Sequence, residues 1–167
     1  MNNVTEMQDK VISLLSEVKR EGIDNLIKFI KESDYLTTAT CYKHHKSAYG
    51  LMNHSLEVLD TMLKLNVHGF PRESLILLAL CHDLGKARLN GRHVARGSHP
   101  ARSVYILGKC GVPLSEMEKN AIRGHHPHDL AGYAKVASNP LAGLLSAGDC
   151  NSARLNKKGR VYSFTKI

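Results

Sequence analysis

Residues 71–90 read PRESLILLALCHDLGKARLN. Pro71 stands where the first turn of a helix tolerates a proline, and Gly85 stands where a helix commonly stops. Between them Leu75, Ile76, Leu77, Leu78, Ala79 and Leu80 form the oiliest helix of the chain. That helix delivers His82 and Asp83 side by side at its end, with Lys86 close behind. A buried imidazole beside a buried carboxylate is costly unless both are paired or bound to a metal. The remaining sequence has to supply the partners.

Working outward, the pattern is helix after helix. Val4, Met7, Val11, Leu14, Leu15 and Val18 form one stripe at helical period in residues 4–20, and a shorter helix covers 23–33. Residues 35–49 have no clear period and read as a loop. Residues 50–66 are an amphipathic helix, and residues 86–98 a basic loop punctuated by glycine. Helices are predicted over 99–111, 113–126 and 139–157, the second marked by a capping box of Ser115 and Glu118. The tail, 156–167, is a short strand or an ordered extension. The expected fold is all-α: one compact domain over 1–167, with N-terminal helices in 4–33 and a motif-bearing core at about 50–155.

Composition agrees. At 167 residues the chain is one domain's worth, and 43% hydrophobic residues suffice for one core. Aromatic residues are 5% and tryptophan is absent, so the core must be aliphatic, which suits helices. The net charge of +8 and a pI near 9.4 favour an anionic partner such as a nucleotide, nucleic acid or other phosphate compound. Cys41, Cys81, Cys110 and Cys150 form no C-x-x-C pair and read as reduced thiols, with Cys81 and Cys150 as packing residues. No apolar run approaches the ~20 residues of a membrane span, and MNNVTEMQDK lacks a secretory signal's apolar stretch. A cytoplasmic protein is expected.

The polar residues then fall into place. His54 shares a helical face with Val58, Met62 and Leu65, and Asp149 follows the stripe of Leu141 and Leu145. His99 begins a helix, and His125 and His126 end another. A single inward histidine is ordinarily a hydrogen-bonded core residue. Five histidines and two aspartates from five segments are a different matter, because divalent metal ions ligate neutral imidazole and offset carboxylate charge together. Nitrogen and oxygen donors without thiolate argue against a structural zinc site. They suit Mn2+, Fe2+, Ni2+, Co2+ or Mg2+, or zinc in a catalytic site. More than six candidate ligands exceed one ion, so two ions sharing Asp83 are expected.

GLMNHSLEVL (50–59), CHDLGKA (81–87) and GDCNSAR (148–154) resemble the three defining segments of the HD-domain metal-dependent phosphohydrolases. SHPARSVYIL (98–107) and GHHPHD (124–129) resemble additions found in the subset that holds two metals. Leu84 between Asp83 and Gly85, and Gly148 where the family often has alanine, are mild departures. AGYAK (131–135) lacks the proline of the GYP string of cyclic-dinucleotide esterases. The resemblance implies a first metal on His54, His82, Asp83 and Asp149, and a second on Asp83, His99, His125 and His126.

It also implies hydrolysis of a phosphoester or phosphodiester in a nucleotide, cyclic dinucleotide or short nucleic acid by metal-activated water, with Asp83 and Lys86 catalytic. Lys86, Arg88, Arg92, Arg96, Arg102 and Arg154 are the expected phosphate-binding cations. His128 and Asp129 read as rim residues, His44, His45 and His68 as surface, and His93 as a neighbour of substrate. Similar scaffolds with two irons oxygenate small phosphonates or polyols, which is the alternative activity. The third alternative is a basic binding module without catalysis, against which the full ligand set argues. No partner in a membrane is expected, and no oligomeric state is predicted.

Overall fold

The computed structural model describes residues 2–40, 48–125 and 138–157. These form helices α1 (Asn2–Glu17), α2 (Ile23–Glu32), α3 (Gly50–Leu65), α4 (Arg72–Cys81), α5 (His99–Cys110), α6 (Glu116–Gly124) and α7 (Pro140–Lys157). There is no strand among the described residues, only an isolated bridge between Leu89 and Arg92. The fold is all-α, as the hydrophobic periods predict. Residues 41–47 of the expected loop and the tail beyond residue 157 lie outside the described residues.

Helix α4 is the centre because its sequence has no polar face to show to water. Every residue from Ser74 to Cys81 is buried, and α1, α3, α6 and α7 all pack on it. Fully burying each of Leu75, Ile76, Leu78 and Leu80 contributes about 1.5–3 kcal/mol. The predicted stripe of α1 is buried at Val11, Leu14, Leu15 and Val18 and covers one side of α4. The inner face of α3, from Leu51 to Met62, covers another and also packs on α7.

One polar clasp fixes the rim of this bundle. Arg20, just past α1, donates from both Nη atoms to Glu118 of α6 at 2.7 and 3.0 Å, and to Ser74 of α4 at 2.9 Å. Glu118 also completes the predicted capping box with Ser115, so α6 is started and docked by the same carboxylate.

The end of α4 differs from expectation. Its last regular bond is His82 N–H to Leu78 O, and the chain then tightens into a 3-10 turn over Leu84–Lys86. The helix therefore stops at Cys81 and not at Gly85. Gly85 has a different job. A Cβ there would lie 2.1 Å from the carbonyl oxygen of His99, so only glycine lets the turn after α4 sit against the first turn of α5. The basic loop beyond it is a small hairpin, with Asn90 at φ 52° and Gly91 at φ 76° between the bridged Leu89 and Arg92. Cys81 is buried as a packing residue, but Cys150 is exposed, because the two cysteines flank ligand candidates on helices of unlike burial. No helix among the described residues is long and apolar enough to cross a membrane.

Candidate metal centre

Five segments converge. The inner face of α3 carries His54, and the end of α4 carries His82. Asp83 has left helical geometry (φ −102°, ψ 8°). His99 is the first residue of α5, His125 caps the C-terminus of α6, and Asp149 faces inward from α7. His126, His128 and Asp129 lie outside the described residues, as do His44 and His45.

His54 Nε2 lies 3.0 Å from Asp149 Oδ1 and 3.2 Å from His82 Nε2. Asp83 is the hinge of the arrangement. Its Oδ2 is 3.7 Å from His54 Nε2 and 3.6 Å from His82 Nε2, while its Oδ1 is 3.2 Å from His99 Nε2 and 3.6 Å from His125 Nε2. Ligand atoms of His54, His82 and Asp149 could hold one ion, and those of His82, Asp83 and His125 form a second such group. Two nitrogens at about 2.1 Å from one ion and at right angles stand about 3 Å apart, the spacing of His54 and His82. Asp83 Oδ1 is buried with imidazole nitrogens of His99 and His125 around it, a setting that suits an oxygen meant for a cation.

The rings are aimed by their far nitrogens. His82 Nδ1 donates to Ala79 O at 2.9 Å and His125 Nδ1 donates to Ile122 O at 2.6 Å. Each bond is to a carbonyl of the residue's own helix, and it turns Nε2 toward the centre. Burial pushes the His82 pKa down to about 3, against the pull of Asp83, so this ring is a neutral donor with its lone pair on Nε2. Burial alone would raise Asp83, but its contacts with His125 and His99 and the charge of Lys86 hold it well below the usual carboxylate range. His125 is raised: burial opposes its proton, and the contact with Asp83 outweighs burial.

Five of the six described candidates have side chains at most 3% exposed; His99 is 26% exposed. The centre thus faces water on the side where α5 begins, next to the basic loop. Lys86 stands at that edge, its Nζ 2.5 Å from Asp83 Oδ2. Arg88, Arg92 and Arg96 are exposed on the loop with His93, and Arg154 is exposed on α7. Arg102 is committed elsewhere: Nε donates to Gly85 O at 2.7 Å and Nη1 to Gly97 O at 2.5 Å, so it ties the loop to α5. His68 is exposed.

Two buried polar residues beside the centre lie outside the ligand set that the sequence predicts. Glu57 of α3 and Ser152 of α7 are hydrogen-bonded to one another, and Ser152 Oγ lies 2.9 Å from His54 Nδ1. The signal was present in spacing: Glu57 is three residues past His54, and Ser152 three past Asp149, so each shares a helical face with a ligand candidate.

Comparison with known proteins gives no match among curated proteins and none among solved structures. The family model described as the HD domain matches residues 51–154, more than half of the chain. Its matched span begins at α3 and closes within α7, so it contains every described ligand candidate. On that match, over helices that bring His54, the His82-Asp83 pair and Asp149 to one point, the chain belongs to the HD-domain family, whose members are generally metal-dependent hydrolases.

Proposed function

We propose that this chain is a divalent-metal-dependent phosphohydrolase acting on an anionic, phosphate-containing small molecule or a short oligonucleotide. His54, His82, Asp83 and Asp149 hold one ion; Asp83, His99 and His125, with His126, hold a second. The observation that carries this reading is the split carboxylate of Asp83, with one oxygen toward His54 and His82 and the other toward His99 and His125. Divalent ions bound there would lower the pKa of a water molecule and polarise a phosphoryl oxygen.

The chain's own residues do the rest. Asp83 supplies the shared negative charge between the two histidine groups. Lys86 sits at the open edge, where its ammonium can receive the negative charge that builds on non-bridging oxygens. Arg88, Arg92 and Arg96 offer forked donors for a substrate phosphate arriving from the His99 side. Arg102 holds that loop in place, and Arg154 is a further cation on α7.

The test is a screen of the protein, loaded in turn with Mn2+, Fe2+, Ni2+, Co2+ and Mg2+, against nucleotides, cyclic dinucleotides and short oligonucleotides. Release of phosphate or nucleotide that chelation abolishes is the expected result. Oxygen uptake with Fe2+ and no hydrolysis under any metal would replace this reading with the oxygenase one.

A further inference from the structure

His54 differs from the other buried histidines in what holds its far nitrogen. His82 and His125 each donate to a carbonyl, which can only accept, so the hydrogen on Nδ1 is dictated. His54 Nδ1 instead meets the Ser152 hydroxyl across the α3–α7 contact, at 2.9 Å. A hydroxyl both donates and accepts, so by itself it dictates nothing. The deciding group lies one step further. Ser152 Oγ donates to Glu57 Oε2, and Asn53 Nδ2 donates to Glu57 Oε1 at 3.1 Å. Glu57 is 2% exposed and Ser152 fully buried. A carboxylate is costly to bury and is retained where its hydrogen bonds do something.

We propose that Glu57, acting through Ser152, is a positioning residue that fixes His54 as the Nδ1–H tautomer and so presents its Nε2 lone pair to the centre. Glu57 Oε2 takes the single hydroxyl hydrogen of Ser152. Ser152 Oγ must then accept, and the hydrogen it accepts is that of His54 Nδ1. The tautomer that carries the hydrogen on Nε2 could donate it to Asp149 Oδ1 at 3.0 Å, but it would block His54 as a ligand and leave Ser152 between two hydrogen-bond acceptors with one hydrogen. The relay orients a ring that its own helix does not orient. It rests on the reading of His54 as a ligand, and it is a statement about imidazole hydrogen placement that can be tested without any metal.

The experiment uses the full chain, with two near-isosteric variants, Ser152→Ala and Glu57→Gln, and Asn151→Ala as a comparison. Asn151 bonds Thr61 across the same two helices without touching His54. Nitrogen-15 spectra of the metal-free proteins read the His54 tautomer, and calorimetric titration with Mn2+ reads affinity. The wild-type chain should show Nδ1–H at His54, and both relay variants should lose that preference. Their Mn2+ affinity should fall roughly ten- to a hundredfold, the usual effect of removing a partner behind a metal-ligating histidine. Asn151→Ala should keep both properties.

Nε2–H at His54 in the wild-type chain overturns the proposal, and needs no variant to fold. So does an unchanged tautomer in both relay variants, or an equal loss of affinity in Asn151→Ala, which would mean that loosening α3 from α7 is the whole effect. A wild-type chain that binds no Mn2+ would remove the metal reading, and the spectra would still decide the relay.

Discussion

Asp83 Oδ1 lies 3.2 Å from His99 Nε2, although the whole basic loop separates the two residues in sequence. The contact exists because the turn after α4 touches the first turn of α5. Ser103 Oγ accepts from Gly85 N–H at 2.8 Å and donates to His82 O at 2.8 Å, which pins that contact in register. Asp83 is thereby held between histidines from both sides of the centre.

Gly85→Ala tests what the contact is worth. The added Cβ would meet backbone, His99 O at 2.1 Å and Ser103 N at 2.9 Å, neither of which can swing aside as a side chain can. Overpacking of this kind costs about 1–3 kcal/mol. The melting temperature should fall, and the affinity for divalent metal should fall with it, because α5 carries His99. A variant as stable as the wild type would mean that the turn moves freely and does not position Asp83.

Asp83→Ala should abolish metal binding and turnover together. The substitution removes the one carboxylate that faces both histidine groups. Metal content by elemental analysis, set beside steady-state rates, checks this. Loss of one ion with the other fully retained would restrict Asp83 to a single site, and unchanged turnover would remove it from the mechanism.

Acid stability should report on the clasp at the rim. Burial would raise the Glu118 pKa, but Arg20, the Ser115 backbone N–H and Ser74 together hold it below its ordinary 4.5. A carboxylate depressed in the folded state contributes stability that is full above its unfolded pKa, about 4.3. That contribution disappears as pH falls through the lower, folded value. Glu118→Ala should therefore cost on the order of 1–3 kcal/mol at neutral pH, since it removes the hydrogen-bonded partner of Arg20 and leaves only Glu73, 3.6 Å away, to offset that charge. The difference from the wild type should shrink as the pH drops below about 4. Denaturant unfolding of both proteins from pH 3 to pH 7 measures it; a constant difference across that range would take Glu118 out of the acid response.

What could be read from the sequence was whatever a local period carries. Apolar spacing along 4–18, 50–65 and 141–145 marked which faces of α1, α3 and α7 are buried, and with the last two the inward aim of His54 and Asp149. Ser115 and Glu118 announced the start of α6. What escaped depends on contact through space. Gly85 reads locally as a helix stop, and only the approach of the His99 carbonyl shows why a side chain is forbidden there. Arg102 reads as one more loop cation, and its commitment to Gly85 O and Gly97 O requires the loop's path. Glu57 and Ser152 each look like an ordinary polar position, because the bond that pairs them joins α3 to α7 across most of the chain.

Lys86 carries the sharpest prediction, because the structure gives it two possible jobs. Its ammonium pairs with Asp83 Oδ2 at 2.5 Å, and its side chain is 18% exposed, at the edge of the centre nearest the basic loop. If the charge serves the reacting phosphate, Lys86→Ala should retain metal and fold while turnover falls by roughly 10²–10³, as loss of one donor to a developing negative charge does. If the charge serves only Asp83, the variant should turn over normally and melt at a lower temperature, since the buried Asp83 has lost its ammonium partner. The first outcome is expected. A bound ion would offset the charge of Asp83, which faces four histidines, whereas Lys86 is the cation that the 3-10 turn brings to the open edge. Steady-state kinetics, metal analysis and a melting curve on the one variant separate the two. Normal turnover beside a lowered melting temperature rejects the catalytic role.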